Sequence, residues 1–161
     1  GKNMEFLKFI DLPGRTGATL ELALGQGRPP REELSAKGWK LEDGFAKSTT
    51  PWLYRDYIWD SFAEFSMAKN AYVASKSGWF SCRSSCYLAA GRPCVVQDTG
   101  FSEFMPVGEG VLAFSTEDEA LAGIEAVRAD WEKHSRAAKR FAKEWFDSDA
   151  VLGKLLKEAL E

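Results

Sequence analysis

The fold is decided by residues 75–103, which read SKSGWFSCRSSCYLAAGRPCVVQDTGFSE. A loop containing Ser and Gly leads into an apolar, Ala-rich segment at 82–90 that predicts a buried helix. Residues 91–93, Gly-Arg-Pro, end this helix, because Gly accepts a left-handed cap and Pro cannot continue a helix. The apolar run 93–97 predicts a buried strand, and the loop 98–100 follows it. A loop, a helix and a buried strand in this order form half of a βαβ unit.

The remaining elements continue the alternation of strands and helices. Residues 4–10 are rich in apolar and β-favouring side chains and predict a first strand, whereas residues 18–24 predict a short helix. Further strands are predicted near 39–41, 64–67, 71–73 and 110–114, and further helices near 31–36, 51–61, 116–129, 131–145 and from 148 onward. This alternation predicts a Rossmann-like three-layer α/β/α fold with a mostly parallel sheet, and it places Val95 and Val96 on a central strand.

Length, composition and charge limit the classes of protein. A chain of 161 residues with 45% hydrophobic content predicts one domain, residues 1–161. The net charge is -3 and both signs are mixed along the chain, which argues against a nucleic-acid partner. No apolar run approaches the roughly 20 residues of a membrane span. Because no signal peptide opens the chain either, we expect a cytoplasmic protein without a membrane span.

Cysteine and histidine usage limits the metal and redox chemistry. Cys82 and Cys86 are four positions apart on the predicted helix, and Cys94 lies on the strand. An odd number of cysteines without a CxxC motif predicts free thiols and a cytoplasmic location. The single histidine, His134, lies on a Lys- and Arg-rich helix, where we expect a solvated surface residue. We predict no metal site and no cofactor.

An anion site is predicted at the start of the central helix. Residues 66–97 contain no Asp or Glu, but they contain Lys69, Arg83 and many hydroxyls. Cations, loop N–H groups and the helix dipole would favour an anion there. The alternative is that a buried helix and strand simply exclude carboxylates. Ser77-Gly78 and Ser81, placed before the helix, favour the phosphate site.

Other candidate features are less specific. In the loop after the central strand, Gly100 would allow a ligand close to the backbone, and Glu103 could accept from a ligand hydroxyl. The alternative is an ordinary loop with a helix cap at Ser102. Trp79 and Phe80 could stack on a base or a sugar, although aromatic side chains more often fill a core. The chain contains neither GxxxxGK[ST] nor a GxGxxG after its first strand, which excludes a P-loop and weakens a dinucleotide site.

The chain from residue 88 onward resembles the C-terminal half of GT-B glycosyltransferases. In that family, an A-x-G-x-P-V-V strand entry precedes a G-x-x-E loop, a G-x-G-x-L-x-F strand and helices with D-E-A-L-A-x-I and A-A-x-x-x-A-x-x-x-F. The matching segments lie, in the same order, at 88–96, 100–103, 108–114, 118–124 and 137–146. Each motif is weak by itself, but the order and the spacing together are specific.

The resemblance implies that the domain binds a nucleotide diphosphate sugar as donor substrate at the C-terminal edge of its sheet. The diphosphate would contact the loop and helix start, with Lys69 and Arg83 as cations: Ser77, Gly78, Ser81, Arg83, Ser84 and Lys69. The donor sugar or nucleotide would lie against the loop Thr99, Gly100, Phe101, Ser102 and Glu103. Many retaining members of the family carry two glutamates eight positions apart, where this chain has Gly78 and Cys86. The catalytic residues are therefore unknown.

In this family the reaction takes place in a cleft between two Rossmann-like domains. The N-terminal acceptor domain is missing here. We therefore expect the donor-binding half of a glycosyltransferase that transfers a sugar to an unknown acceptor, inactive as an isolated fragment. The alternative is a non-catalytic Rossmann-like binding or assembly module that has lost donor binding. A third possibility, another phosphate-ligand enzyme on a flavodoxin-like sheet, is weaker because no acid cluster accompanies it.

Overall fold

A computed structural model of the protein describes residues 2–25 and 27–160, and its described part is mixed α/β with two small parallel sheets. The helices are α1 (Lys2–Phe6), α2 (Arg31–Ala36), α3 (Gly44–Ser48), α4 (Pro51–Asp60), α5 (Asn70–Ala74), α6 (Cys82–Ala89), α7 (Glu117–Ala129), α8 (Trp131–Phe146) and α9 (Ser148–Leu160). The strands are β1 (Glu21–Leu24), β2 (Lys40–Asp43), β3 (Glu64–Ser66), β4 (Cys94–Gln97) and β5 (Val111–Phe114). Short 3₁₀ turns lie at Leu7–Phe9, Leu12–Arg15 and Phe101–Glu103.

The larger sheet has the order β3-β4-β5 and is parallel throughout. Val95 and Val96 lie on its middle strand and are 2% and 5% exposed, so the prediction of a buried central parallel strand is confirmed. Val95 packs in a cluster with Ile124 of α7, whereas Val96 packs in a second cluster with Leu88 of α6 and Ala138 of α8. Helices therefore cover both faces of this sheet.

The smaller sheet pairs β1 with β2, also in parallel, with Leu22 opposite Leu41. The sequence predicted one sheet, whereas the structure has two that share one apolar cluster. Trp39 links them: its Nε1 donates to the Ile10 carbonyl at 2.8 Å, and its ring lies 5.3 Å from that of Phe6 and 6.4 Å from that of Phe65. The N-terminal segment thus packs against both sheets.

Three predicted elements near the N-terminus and before α6 are wrong. Residues 4–9 of this predicted strand are helical and residue 10 is a turn, because Phe6, Phe9 and Ile10 present apolar side chains at helical spacing to the core. Residues 21–24 form β1 rather than a helix, since Leu22 and Leu24 continue a two-residue alternation of apolar side chains. Residues 71–73 lie inside α5.

His134 is buried, so the prediction of a solvated surface histidine is also wrong. It is 5% exposed, and its Nδ1 accepts a hydrogen bond from the Gly110 N–H at 3.3 Å. Gly110 has φ +74, and a Cβ there would lie 2.6 Å from the Ala138 nitrogen, so the backbone approaches α8 closely at this point. Burial lowers the pKa of His134, and the nearby Lys133 lowers it further.

The three cysteines are free thiols, as predicted; Cys82 and Cys86 are exposed, and Cys94 is buried. Burial raises the pKa of the Cys94 thiol. At the other end of the chain, α9 has no buried residue and exposes an apolar stripe that includes Leu152, Leu155 and Leu156. Within residues 2–25 and 27–160, no helix combines the length and the apolar character that a membrane crossing requires.

Candidate functional site

The predicted anion-binding region surrounds a cavity of about 280 Å³, which we call the candidate site. It lies where the carboxyl ends of β3 and β4 meet the first turn of α6. Its lining comes from these three places and from four aromatic side chains: Ser66, Met67, Ala68, Lys69, Val96, Gln97, Ser81, Arg83, Ser84, Tyr72, Trp79, Phe80 and Phe101. Ligands of parallel α/β sheets characteristically bind at this kind of edge.

The start of α6 has the polarity that favours an anion. Ser81 is its N-cap, with extended backbone, and its Oγ accepts the Arg83 N–H at 3.3 Å. No acidic residue lies in the first turn of the helix. The positive end of the helix dipole, equivalent to roughly half a charge, is therefore not offset within the helix itself. Ser84, one turn in, lines the candidate site and is 1% exposed.

Arg83 lines the candidate site but is already paired with a carboxylate. Its Nε donates to Glu64 Oε1 at 2.7 Å, and the Glu64 side chain is 4% exposed. Burial lowers the pKa of the guanidinium, but Glu64 raises it by more, so the net shift is upward. The other oxygen, Glu64 Oε2, is buried and has no hydrogen-bond partner among the described residues. Arg83 therefore offers an incoming anion a partly neutralised charge.

A second buried carboxylate lies behind the candidate site. Glu5 of α1 is fully buried and accepts from Asn70 Nδ2 and Gln97 Nε2, each at 2.7 Å. Lys8 donates to it as well, at 2.9 Å. Burial raises the pKa of Glu5, but these hydrogen bonds outweigh it and the net shift is downward. Residues 66–97 contain no carboxylate themselves, but in the fold they contact two carboxylates from elsewhere in the sequence, Glu5 and Glu64.

Lys69 is the exposed cation of the candidate site. It precedes α5, and its ammonium lies 5.7 Å from the centre of the Tyr72 ring. The Tyr72 ring stacks in turn on Trp79, with centroids 5.0 Å apart and 22° between the planes. Trp79 remains 47% exposed. The pair forms an aromatic wall beside a cation, which can hold a planar ring or a sugar face next to an anion.

Ser77 and Gly78, two of the predicted diphosphate-binding residues, do not line the candidate site. The Gly78 N–H donates to the Thr99 carbonyl at 2.8 Å, so it cannot turn toward an anion. The Ser77 Oγ accepts the Trp79 N–H at 3.4 Å. Gly78 has φ +71, which favours glycine, and Phe104 fills the space beside it. These two residues hold the loop before α6 against the loop after β4.

The loop after β4 is organised by Asp98, which the sequence did not single out. Asp98 Oδ1 accepts the Gly100 N–H at 2.9 Å, and its Oδ2 accepts the Ser102 hydroxyl at 2.5 Å. Thr99 is buried, and its Oγ1 donates to the Trp79 carbonyl at 2.6 Å. Glu103 faces solvent, 4.0 Å from Lys76.

Phe101 is the one member of the predicted sugar loop, residues 99–103, that lines the candidate site. It is 1% exposed and packs edge-on against Phe80, with centroids 5.1 Å apart. Its contribution is apolar. The predicted hydroxyl acceptor Glu103 and the predicted close approach at Gly100 lie outside the cavity lining.

The two carboxylates were missed for different reasons. Glu5 lay in a segment predicted as a strand, where its position relative to Gln97 could not be inferred. Glu64 opens the three-residue strand β3. A buried acid there requires a cation, but the sequence does not identify Arg83 as that cation. Within 2–25 and 27–160, no group of three or more His, Cys, Asp or Glu side chains is placed to hold a metal ion.

Comparison of the chain with protein-family models, with curated proteins and with solved structures finds no match.

Proposed function

We propose that the chain is the nucleotide-sugar-binding domain of a GT-B type glycosyltransferase, with a Rossmann-like three-layer fold and a cytoplasmic location. The observation that carries the proposal is the cavity of about 280 Å³ at the carboxyl ends of two parallel strands. Ser81, Arg83, Ser84 and Lys69 all line it, together with exposed aromatic surface. The motifs from residue 88 onward carry the resemblance to this family, and the cavity offers a place where the donor of such an enzyme could bind.

In this proposal the diphosphate lies at the first turn of α6. Its oxygens accept from N–H groups of that turn and from the Lys69 ammonium, and the base or the sugar packs on Trp79. The reaction transfers the sugar from the diphosphate to an acceptor held by a second domain. This domain contributes by stabilising the departing diphosphate electrostatically. By itself it binds the donor and does not catalyse transfer.

Calorimetry with uridine and guanosine diphosphates tests the proposal. A charge-assisted hydrogen bond contributes about 1.5–3 kcal/mol. Since Lys69 is exposed, we expect Lys69→Ala to weaken binding by about tenfold, toward the low end of that range. The matched control is Lys154→Ala on the exposed helix α9, where Lys154 lies 3.8 Å from Glu158; it should bind as the wild type does. If neither nucleotide binds to the wild type, the proposal is wrong.

A second pair of variants tests the aromatic wall. Stacking of a base on an aromatic side chain contributes about 1–3 kcal/mol, so Trp79→Ala should weaken nucleotide binding at least fivefold. Trp52→Ala removes an indole that is 66% exposed and lines neither cavity, and it should leave binding unchanged. Equal affinities of the two variants would show that the nucleotide does not contact Trp79.

A non-catalytic binding or assembly module is the second candidate, and specific contacts favour it. Arg83 is held by Glu64, the Gly78 N–H is held by Thr99, and Glu5 adds a negative charge behind Gln97. Each contact reduces the attraction for a diphosphate. A chain that unfolds cooperatively but shows no thermal shift with any nucleoside diphosphate would support this candidate, since a ligand that binds only the folded state raises Tm.

A further inference from the structure

A second, larger cavity separates the two sheets. Its volume is about 1170 Å³, against about 280 Å³ for the candidate site. Small-molecule pockets in proteins span roughly 300–1,000 Å³. The larger cavity lies just above this range and the candidate site just below it, so the occupant of the larger cavity has to be inferred from its lining.

The edges of β1 and β3 face each other across this cavity. Its lining includes every residue of 19–25 and of 61–67. Successive side chains of a strand point to opposite faces, so an unbroken run can line one cavity only when the backbone edge faces it. β1 pairs with β2, and β3 pairs with β4, each through its other edge. Within the described chain, no backbone hydrogen bond joins 19–25 to 61–67. We call the space between these two edges the slot.

Both faces of the slot are covered. On the face of Val95, Phe6 and Trp39 pack in the same cluster as Phe65 and span the two sheets. On the face of Val96, α4 crosses the slot: Ile58 packs beside Val96, and Tyr57 donates to Glu21 of β1 at 2.8 Å. The slot is thus bounded by two strand edges and by two layers of side chains, which are the surroundings of one strand inside a sheet.

The lining shows what an occupant of the slot should carry. Leu7, Leu53 and Phe62 line the slot and are 61%, 47% and 53% exposed, so apolar side chains are needed on both faces. Glu64 also lines the slot, and its buried Oε2 has no partner among the described residues. Because this oxygen has almost no accessible surface, it lies behind the lining, and an added strand would contact the two strand edges rather than this acceptor.

We propose that the slot receives one extended strand, apolar on both faces, from a polypeptide segment outside these 161 residues. Such a strand pairs with β1 on one side and β3 on the other, and it joins the two-stranded and the three-stranded sheet into one. A second copy is not the occupant we infer, because the strands of the described chain all lie in a sheet already. Unpaired edges attract strands, and this occupant removes both edges at once.

A tethered strand tests the proposal on the whole chain. The sequence Val-Ile-Thr-Val-Val is joined ahead of residue 1 by a flexible Gly/Ser linker of about ten residues, which spans roughly 17 Å on average. Phe6 and Leu7 line the slot, so this reach is sufficient. The control carries proline at the second and fourth strand positions, which keeps apolar bulk but removes the donors for pairing.

Amide hydrogen exchange and melting temperature are the measurements. We expect the slot-facing amides of β1 and β3 to exchange at least about tenfold more slowly in the strand-bearing protein than in the proline control, with a higher Tm. Equal exchange in the two proteins overturns the proposal. So does protection of β1 and β3 that appears without any added strand as the protein concentration rises, since a second copy would then fill the slot.

Discussion

Two buried carboxylates, Glu5 and Glu64, lie close to the same cavity, but they differ greatly in how many hydrogen bonds they accept. Glu5 accepts hydrogen bonds from Lys8, Asn70 and Gln97. Glu64 accepts one from Arg83, and its second oxygen has no partner in the described chain. The two side chains are similarly inaccessible, at 0% and 4% exposure.

The difference separates a structural group from a candidate functional one. Glu5 ties α1 to the end of β4 with its hydrogen-bonding capacity in use, so it contributes to stability and has little left for a ligand. The Glu64–Arg83 pair stands in the wall between the candidate site and the slot, since Arg83 lines both. A buried acceptor without a partner costs free energy, so Glu64 is held less favourably than Glu5.

The largest expected effect is on the less satisfied pair. Arg83→Ala leaves the Glu64 carboxylate buried without its cation, and we expect the free energy of unfolding to fall by about 3 kcal/mol. Urea denaturation measures this change. A loss below about 1 kcal/mol would show that water reaches Glu64 and that the pair is not buried in solution.

The double variant Arg83→Ala with Glu64→Leu sharpens this result. It removes the Glu64 carboxylate together with the Arg83 guanidinium, so no unpaired buried charge remains and most of the lost stability should return. If the loss of stability in the double variant equals the sum of the losses in the two single variants, the two side chains do not interact.

The next effect concerns Glu5. Glu5→Gln replaces an acceptor of several donors by an amide that presents a donor of its own, and we expect a loss of about 1–3 kcal/mol at neutral pH. The control Glu132→Gln changes an exposed residue of α8 and should cost far less.

The Glu5 effect should depend on pH. Because the pKa of Glu5 is lowered in the fold from its ordinary value of 4.5, its contribution is present above pH 4.5 and is lost as the pH falls through the folded value. Denaturation curves of the wild type and Glu5→Gln should therefore converge in acid. A difference that stays constant down to pH 3 would contradict this assignment.

The smallest expected effect is at His134 of α8. Its Nδ1 accepts the Gly110 N–H, so protonation of the folded chain would break this bond. The pKa of His134 is lowered from its ordinary value of 6.5, and the unfolded chain therefore takes up the proton first. Wild-type stability should fall as the pH drops below 6.5, and His134→Gln should lack this decline. If the stability of the wild type and of His134→Gln depends on pH in the same way, protonation of His134 is not the cause of the decline.

The central stretch could be predicted because local signals agree there. The Gly91 cap and the apolar residues of 94–97 each indicate one conformation, and packing agrees with them. The N-terminal segment could not be predicted in the same way. Residues 4–10 are rich in Phe, Leu and Ile, which suit a strand, but their packing against Trp39 and both sheets makes them helical.

The candidate site was predicted in part. Its location at the start of α6 follows from the order of loop, helix and strand, and four of the six predicted diphosphate residues line the cavity: Lys69, Ser81, Arg83 and Ser84. The carboxylates that alter the charge of the candidate site are Glu64 and Glu5. Each pairs with residues well separated from it in the sequence, and such pairing leaves no local pattern. The hydrogen bond from Gly78 to Thr99, which withdraws a predicted donor, is non-local for the same reason.

The central claim is that a nucleotide diphosphate binds where β3, β4 and α6 meet, and a ¹⁵N NMR titration of the wild type with uridine and guanosine diphosphates tests it most directly. We expect the amides of 81–84 and the Trp79 indole to shift with a common dissociation constant, whereas the amides of β1 and β2 stay in place. A titration without shifts at 81–84, or with shifts confined to 19–25 and 61–67, would contradict the account.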